Sequence, residues 1–413
     1  METISPEQEW LNTLSVRQKR VRELFARAQK QQQQELGYFH TLSEICRQPR
    51  TWRKTGELMI GSGAAIDACL RGARSLVLTG SGSSEYAGDC VHAALQTELE
   101  ITCLVVGGGS LLTENREVLP AETPRLMVSL ARSGDSPESR GAISLLLDLD
   151  PEARHLVLTC NRAGALAQTY CDHPRVSVIA LGEETNDQSL VMTSSFTNLA
   201  LAARFLGLTK RPDVYRTICH RAATIATEML ASQFDRLAEV AESGFKRVSF
   251  LGTGARYSAC REAALKMLEM TAGKVTSLCE TYLSLRHGPM SFIDKETLVV
   301  GFLSSDPTRR NYESDLLREL DHKRLGMRKL IVGEAVPKDL TREGDVVIEC
   351  PGMAQLEDQN AAVLDVVVGQ LLAFFRCMQE GLHPDSPSQD HVINRVVQPF
   401  RLYGRALCGR PNP

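Results

Sequence analysis

Short apolar runs alternate along this chain with longer segments whose apolar positions recur at helical spacing. The runs are Ser75–Gly82, Leu126–Ser133, His155–Cys160 and Val176–Leu181 in the first half, and Arg247–Gly254, Leu298–Ser305, Lys329–Gly333 and Asp345–Cys350 in the second. Segments between them, such as Glu85–Gln96 and Cys260–Thr271, have the period of amphipathic helices. Runs that are apolar throughout belong to strands covered on both faces. The pattern therefore predicts an α/β fold of mostly parallel sheets flanked by helices.

The two halves repeat one another. Gly80 and Gly252 end equivalent runs, 252 − 80 = 172 positions apart, and Leu126 and Leu298 open the next pair at the same offset, 298 − 126 = 172. The reading divides the chain into a helical arm over 1–54, a first domain over 55–210, a polar helical linker over 211–242, a second domain over 243–400 and a tail over 401–413. Within the arm, the charged stretch Val16–Glu35, which contains Gln31–Gln34, is expected to be an exposed helix or a solvated charged face.

Composition narrows the function classes. A chain of 413 residues with 43% hydrophobic content is too long for one ordinary core, so two or three domains are expected. Lys and Arg total 47 against 50 for Asp and Glu, a net charge of −3, so no basic excess points to nucleic acid or an anionic membrane. No stretch is expected to approach the roughly 20 apolar residues that span a bilayer, and the chain reads as cytoplasmic. The twelve cysteines include no CxxC pair, which argues against structural zinc, a redox dithiol or a disulfide framework.

In parallel sheets, small ligands bind beyond the carboxyl ends of the strands, at a switch in strand order. The loop Thr79-Gly-Ser-Gly-Ser-Ser-Glu85 combines glycines, which let the backbone approach an anion, with hydroxyls and the start of a helix. A tight strand-to-helix turn explains the glycines equally well. It is neither a P-loop nor a dinucleotide fingerprint, because Glu85 stands where the third glycine would be. Arg132, Ser133 and Ser136 crowd around Gly134 in the next loop, ahead of a helix expected from about Pro137 with Asp135 or Ser136 as its N-cap. Two hydroxyl-rich loops suggest one phosphorylated metabolite between them.

The second half has Thr253-Gly-Ala-Arg-Tyr257 in place of the serines, so its loop is not equivalent. Downstream, Glu262, Lys266 and Glu269 are spaced to share one helix face, which by spacing alone is a solvated face with a surface ion pair. His287, next to Gly288-Pro289, is expected on a turn; it is either a loop histidine or a proton-transfer group.

Taken in order, Gly80-Ser-Gly-Ser-Ser84, Ala131-Arg-Ser-Gly-Asp-Ser136, Met192-Thr-Ser-Ser-Phe196, Ala264-Leu-Lys-Met-Leu-Glu269 and Arg286-His-Gly-Pro289 resemble the sugar isomerase (SIS) domain family in two tandem copies. They are similar to the isomerase half of glucosamine-fructose-6-phosphate aminotransferase. The chain more closely resembles the galactosamine-6-phosphate deaminase or tagatose-6-phosphate ketose/aldose isomerase family, through Ala131–Ser139, Leu265–Lys274, Pro384-Asp-Ser-Pro387 and Asn394–Gln398. The resemblance implies two doubly wound, mostly parallel five-stranded sheets. It assigns Ser84, Ser133 and Ser136 to the sugar phosphate, with the backbone of Gly82 and Gly134, and Ser83 and Arg132 are read as substrate-binding beside them, although Ala131 and Arg132 replace polar neutral residues of the synthase loop. Glu269 falls on the enolisation base and His287 on the ring-opening histidine, which in the synthase acts in a neighbouring subunit's site, implying a homodimer or larger assembly. Lys266, Val191 and Thr193 fall at positions lining the sugar.

Two departures from the synthase matter. Position 2 is Glu2 instead of the N-terminal cysteine of a glutamine-hydrolysing domain, so ammonia from glutamine is not expected. The last lysine is Lys338, so no lysine of the tail can form a Schiff base. The implied reaction is conversion of D-galactosamine 6-phosphate to D-tagatose 6-phosphate and ammonia, with no metal or organic cofactor. Simple aldose-ketose isomerisation, glucosamine-6-phosphate deamination and non-catalytic phosphosugar sensing are the alternatives.

Overall fold

The computed structural model describes residues 6–26 and 30–403. Among them ten strands form two five-stranded sheets in which every neighbouring pair is parallel. The first comprises β1 (Ser75–Gly80), β2 (Thr102–Gly107), β3 (Arg125–Ala131), β4 (Arg154–Thr159) and β5 (Val176–Ala180). The second comprises β6 (Arg247–Gly252), β7 (Thr276–Thr281), β8 (Thr297–Phe302), β9 (Arg328–Gly333) and β10 (Val346–Glu349). Their orders, β2-β1-β3-β4-β5 and β7-β6-β8-β9-β10, are the same.

Register repeats too. Ser75 opens β1 opposite Thr102 and Arg125, and Arg247 opens β6 opposite Thr276 and Thr297. In this order the direction of winding reverses between β1 and β3, and again between β6 and β8, so the loops after those four strands flank the switch points. The central strands β1 and β8 are buried at every position, which is why they read as unbroken apolar runs. The edge strand β7 is partly exposed along its length and has no such run.

The described residues fall into two compact units. One holds the first sheet, with Thr51–Asp187, Ser194–Cys219 and the residues from Ile393 onward; the other holds the second sheet, with Gln188–Thr193, His220–Val392 and the N-terminal residues up to Arg50. In the first unit, Val77, Val106, Met127 and Leu146 pack together, as do Val157, Ile143, Leu166 and Tyr170. In the second, Leu251, Val299 and Ile331 of the sheet pack with Leu316, Leu317 and Leu320 of the helix Pro307–His322.

Two expectations are corrected. The charged N-terminal stretch is not simply exposed: Gln18, Val21 and Gln33 are buried. The Gln18 side-chain amide donates to the Ala231 carbonyl at 2.7 Å, and the Asp235 carboxylate accepts from the backbone of Lys19 and Arg20 at 2.7 and 2.9 Å. Long-range partners of this kind leave no mark on local charge pattern. The helix Asp358–Gln379 is long and apolar enough, by composition, to cross a membrane, and 94% of its most apolar window is buried. Within the second unit, its Gly369 lies so close to Ala263 that an added Cβ would stand 2.6 Å from the alanine Cβ.

His155, at the start of β4, is fully buried, and neither ring nitrogen has a hydrogen-bond partner among the described residues. Burial, reinforced by the nearby Arg175, pushes its pKa down to about 4. The unfolded chain binds this proton near the ordinary value of about 6.5 and the folded chain does not, so stability is greatest above that pH and declines as pH falls toward 4, by about 3 kcal/mol. Denaturant unfolding at a series of pH values is expected to show this decline, and His155→Leu to flatten it.

Candidate active site

At the first switch point, β1 runs into Ser81-Gly82 and then the helix Ser83–Asp89. A Cβ on Gly80 would lie 2.6 Å from the Ser84 carbonyl carbon, so only glycine lets the helix start this close to the strand. Gly82, at φ 56 and ψ −126, takes a backbone conformation other residues avoid. Ser83 and Ser84 are buried at the helix start.

The loop after β3 stands beside it. Ser133 Oγ accepts from the Asp135 backbone at 3.2 Å, and Ser136 Oγ lies 2.7 Å from Ser139 Oγ. Neither expected cap bonds the backbone of the helix Pro137–Leu149. Ser136 occupies the N-cap position with its hydroxyl on Ser139, and Asp135 instead accepts from the Ala165 backbone at 2.8 Å, tying this loop to the one after β4. Gly134, at φ 71, accepts from Leu166 at 3.0 Å. Arg132 is buried and donates to the carbonyl of Arg395, whose own guanidinium reaches the Asp187 carbonyl at 2.8 Å and Asn186 Oδ1 at 2.7 Å. Thr79 Oγ1, Ser81 Oγ and Glu138 Oε2 are buried at these strand ends with no hydrogen-bond partner among the described residues. Buried polar atoms left in that state are the exception in folded proteins and are expected where a ligand completes them.

The second switch point has the same backbone and the opposite chemistry. A Cβ on Gly252 would lie 2.6 Å from the Arg256 carbonyl oxygen, and Gly254, at φ 59 and ψ −130, nearly reproduces Gly82. Where the first copy has Ser84, 256 − 84 = 172 positions earlier, this one has Arg256. That guanidinium is fully buried, is bonded to Asp365 at 2.7 Å through both Nε and Nη2, and donates to the Leu303 carbonyl. Asp358 accepts from the Ser304 hydroxyl, from the Ser305 backbone at 3.0 Å and from Arg309 at 3.0 Å. Burial opposes its charge, yet these donors and Arg256 hold its pKa below the usual carboxylate range. Glu313 accepts from the Ser304 backbone at 2.6 Å. In this copy the protein's own carboxylates take the donors of Ser304 and Ser305.

On the helix Ala255–Met270, Lys266 is fully buried, its ammonium between Glu269, with which it forms a close ion pair, and Glu262 Oε1 at 3.4 Å. This corrects the solvated-face reading: Glu262 is fully buried, and only Glu269, with 23% of its side chain exposed, faces outward. Burial alone would lower the Lys266 pKa, but the two carboxylates outweigh it and raise it above the ordinary lysine value. His287 is exposed at the end of the short turn Ser284–His287, as its Gly-Pro neighbours implied, and its side chain makes no hydrogen bond or ion pair among the described residues. Val191 and Thr193 belong to the second unit and are buried. The structure therefore groups Glu269, Lys266, His287, Val191 and Thr193 in one unit and Gly82, Ser83, Ser84, Arg132, Ser133, Gly134 and Ser136 in the other. No cluster of three or more His, Cys, Asp or Glu among the described residues is arranged to hold a metal ion.

The SIS domain family model matches residues 243–374. D-galactosamine-6-phosphate deaminase AgaS of Shewanella sp. (strain ANA-3) is 34% identical over 375 residues, covering 89% of this chain and 92% of its own, and the AgaS deaminase of Escherichia coli O157:H7 is 33% identical over 370 residues, covering 87% and 94%. The chain belongs to the AgaS family of SIS-domain proteins. The crystal structure of tagatose-6-phosphate ketose/aldose isomerase from Escherichia coli superposes with a TM-score of 0.78 at 32% identity, over 84% of this chain and 95% of that one. Against this AgaS-family background, sequence reading missed Asp358, Asp365 and Arg395, and it placed Glu262, four residues before Lys266, on a solvated face.

Replacing one partner of the buried Arg256–Asp365 pair strands the other charge. Asp365→Ala is expected to cost about 3 to 5 kcal/mol of stability, measured by denaturant unfolding.

Proposed function

We propose that this chain converts D-galactosamine 6-phosphate and water to D-tagatose 6-phosphate and ammonia in the cytoplasm. The supporting observation is Glu269, a carboxylate at the surface of an otherwise buried helix face and in a close ion pair with the buried Lys266. AgaS relatives aligned over most of the chain carry the deaminase name.

Ring opening comes first. His287, exposed on its turn, moves a proton from the anomeric hydroxyl to the ring oxygen, giving the open-chain amino aldehyde. Its exposure fits a role in a neighbouring subunit's site within a homodimer or larger assembly. Glu269 then removes the proton from C2, and return of a proton to C1 converts the enolamine to a ketimine. Water adds at C2 and ammonia leaves, so that one water is consumed for each ammonia released. Lys266, a protonated ammonium held between two carboxylates, has no free lone pair; it orients Glu269 and does not form a Schiff base. Ser84, Ser133 and Ser136, with the backbone of Gly82 and Gly134, take the phosphate, and the buried Thr79 and Ser81 hydroxyls, which have no hydrogen-bond partner among the described residues, support this assignment.

Aldose-ketose isomerisation, the activity named for the Escherichia coli structure, would use the same base and the same histidine. Ammonia release from galactosamine 6-phosphate and glucosamine 6-phosphate, measured in parallel, separates these outcomes. The galacto epimer is expected to yield ammonia and Glu269→Gln to lower the rate by about 100- to 10,000-fold. Release from neither epimer by the wild-type protein would overturn deamination.

A further inference from the structure

Residues 188–193 form neither helix nor strand, yet Ser189, Val191, Met192 and Thr193 are buried. Buried backbone without a ladder must find its hydrogen bonds elsewhere. Three anchors in the same unit supply them. The Glu44 carboxylate, 1% exposed on the helix Phe39–Cys46, accepts from the Gln188 backbone, from the Ser189 backbone at 3.4 Å and from the Ser189 hydroxyl. The Asp385 carbonyl accepts from Leu190 at 3.0 Å, while its carboxylate accepts from the His40 and Thr41 backbone at 3.0 and 2.7 Å, at the start of the Glu44 helix. At the far end, the Gln370 side-chain amide donates to the Thr193 carbonyl at 3.0 Å and accepts from Gln48 at 2.8 Å, all of them fully buried.

The geometry points to Glu44 and Gln370 as positioning residues that hold the backbone of 188–193 in place for the sugar. This rests on the reading of Val191 and Thr193 as sugar-lining residues. With both side chains turned inward, what the segment offers a substrate is backbone, and backbone position is what the anchors fix. A buried carboxylate suits the task, since two backbone N–H groups and a hydroxyl all converge on it as donors and charged acceptors make the stronger hydrogen bonds. An amide at position 44 would turn a donor against one of them. The N-terminal residues thereby gain a role in catalysis without touching substrate.

The test uses the full-length enzyme with Glu44→Gln and, independently, Gln370→Met, each checked for its folded state by circular dichroism and thermal unfolding. The readouts are kcat and KM for galactosamine 6-phosphate and the inhibition constant of inorganic phosphate. Because misplacement of about 1 Å can cost about 100-fold, kcat/KM is expected to fall roughly 10- to 100-fold while phosphate inhibition stays within about twofold, with Glu44→Asp recovering part of the loss. Unchanged kcat and KM in a folded Glu44→Gln protein overturn the proposal, as does a parallel loss of phosphate inhibition, which would mark general damage. If the wild-type protein releases no ammonia, the deaminase reading itself fails, and the anchors are then judged by tagatose 6-phosphate affinity in calorimetry. A loss confined to that ligand supports positioning, and no loss overturns it.

Discussion

In both sheets, the helix after the first strand begins so close to the strand's last residue that a side chain there would collide with backbone. Gly80 and Gly252 meet this constraint, and Gly82 and Gly254 turn the chain into the helix with nearly the same dihedral angles. Much else follows from that approach. It leaves backbone N–H groups at the switch point of a parallel sheet, where strand order opens a crevice. The fold makes this cradle twice, and the side chains around it decide what it holds.

The two copies answer differently. In the first, hydroxyls surround the turn, and Thr79, Ser81 and Glu138 retain buried polar atoms without a hydrogen-bond partner among the described residues. In the second, Arg256 enters the equivalent position and three carboxylates gather there, Asp365 on the guanidinium, Asp358 and Glu313 on the donors of Ser304 and Ser305. A buried arginine is tolerable only when paired, and Asp365 pairs it here, although Ser305 Oγ and Glu313 Oε1 of the same cluster have no hydrogen-bond partner among the described residues. The same rule governs Lys266, which keeps its charge because Glu262 and Glu269 replace water. Of the three, Glu269 alone keeps part of its side chain exposed.

The segment 188–193 shows a further use of buried charge. An irregular stretch cannot satisfy its own backbone, and side chains far away in sequence do so, Glu44 from near the N-terminus and Gln370 from the helix Asp358–Gln379. Such connections make the second sheet, the N-terminal helices and this segment one unit, although they are scattered along the chain.

The α/β class, the duplication at a fixed offset, the central strands and the placement of His287 on a turn were all legible along the chain. Each depends on local composition or on spacing that survives in one dimension: continuous apolar runs mark strands covered on both faces, and Gly-Pro marks a turn. The edge strand β7 escaped because exposure on one side removes the run. Burial of Glu262 and Lys266 could not be read, since charges three and four residues apart look the same on a wet helix face as on a dry one. Nor could Asp365, 365 − 256 = 109 residues from Arg256, or Glu44, 189 − 44 = 145 residues from Ser189, be matched to their partners. Only tertiary packing decides which charges lose water, and a charge that loses water must take whatever partner the fold brings to it.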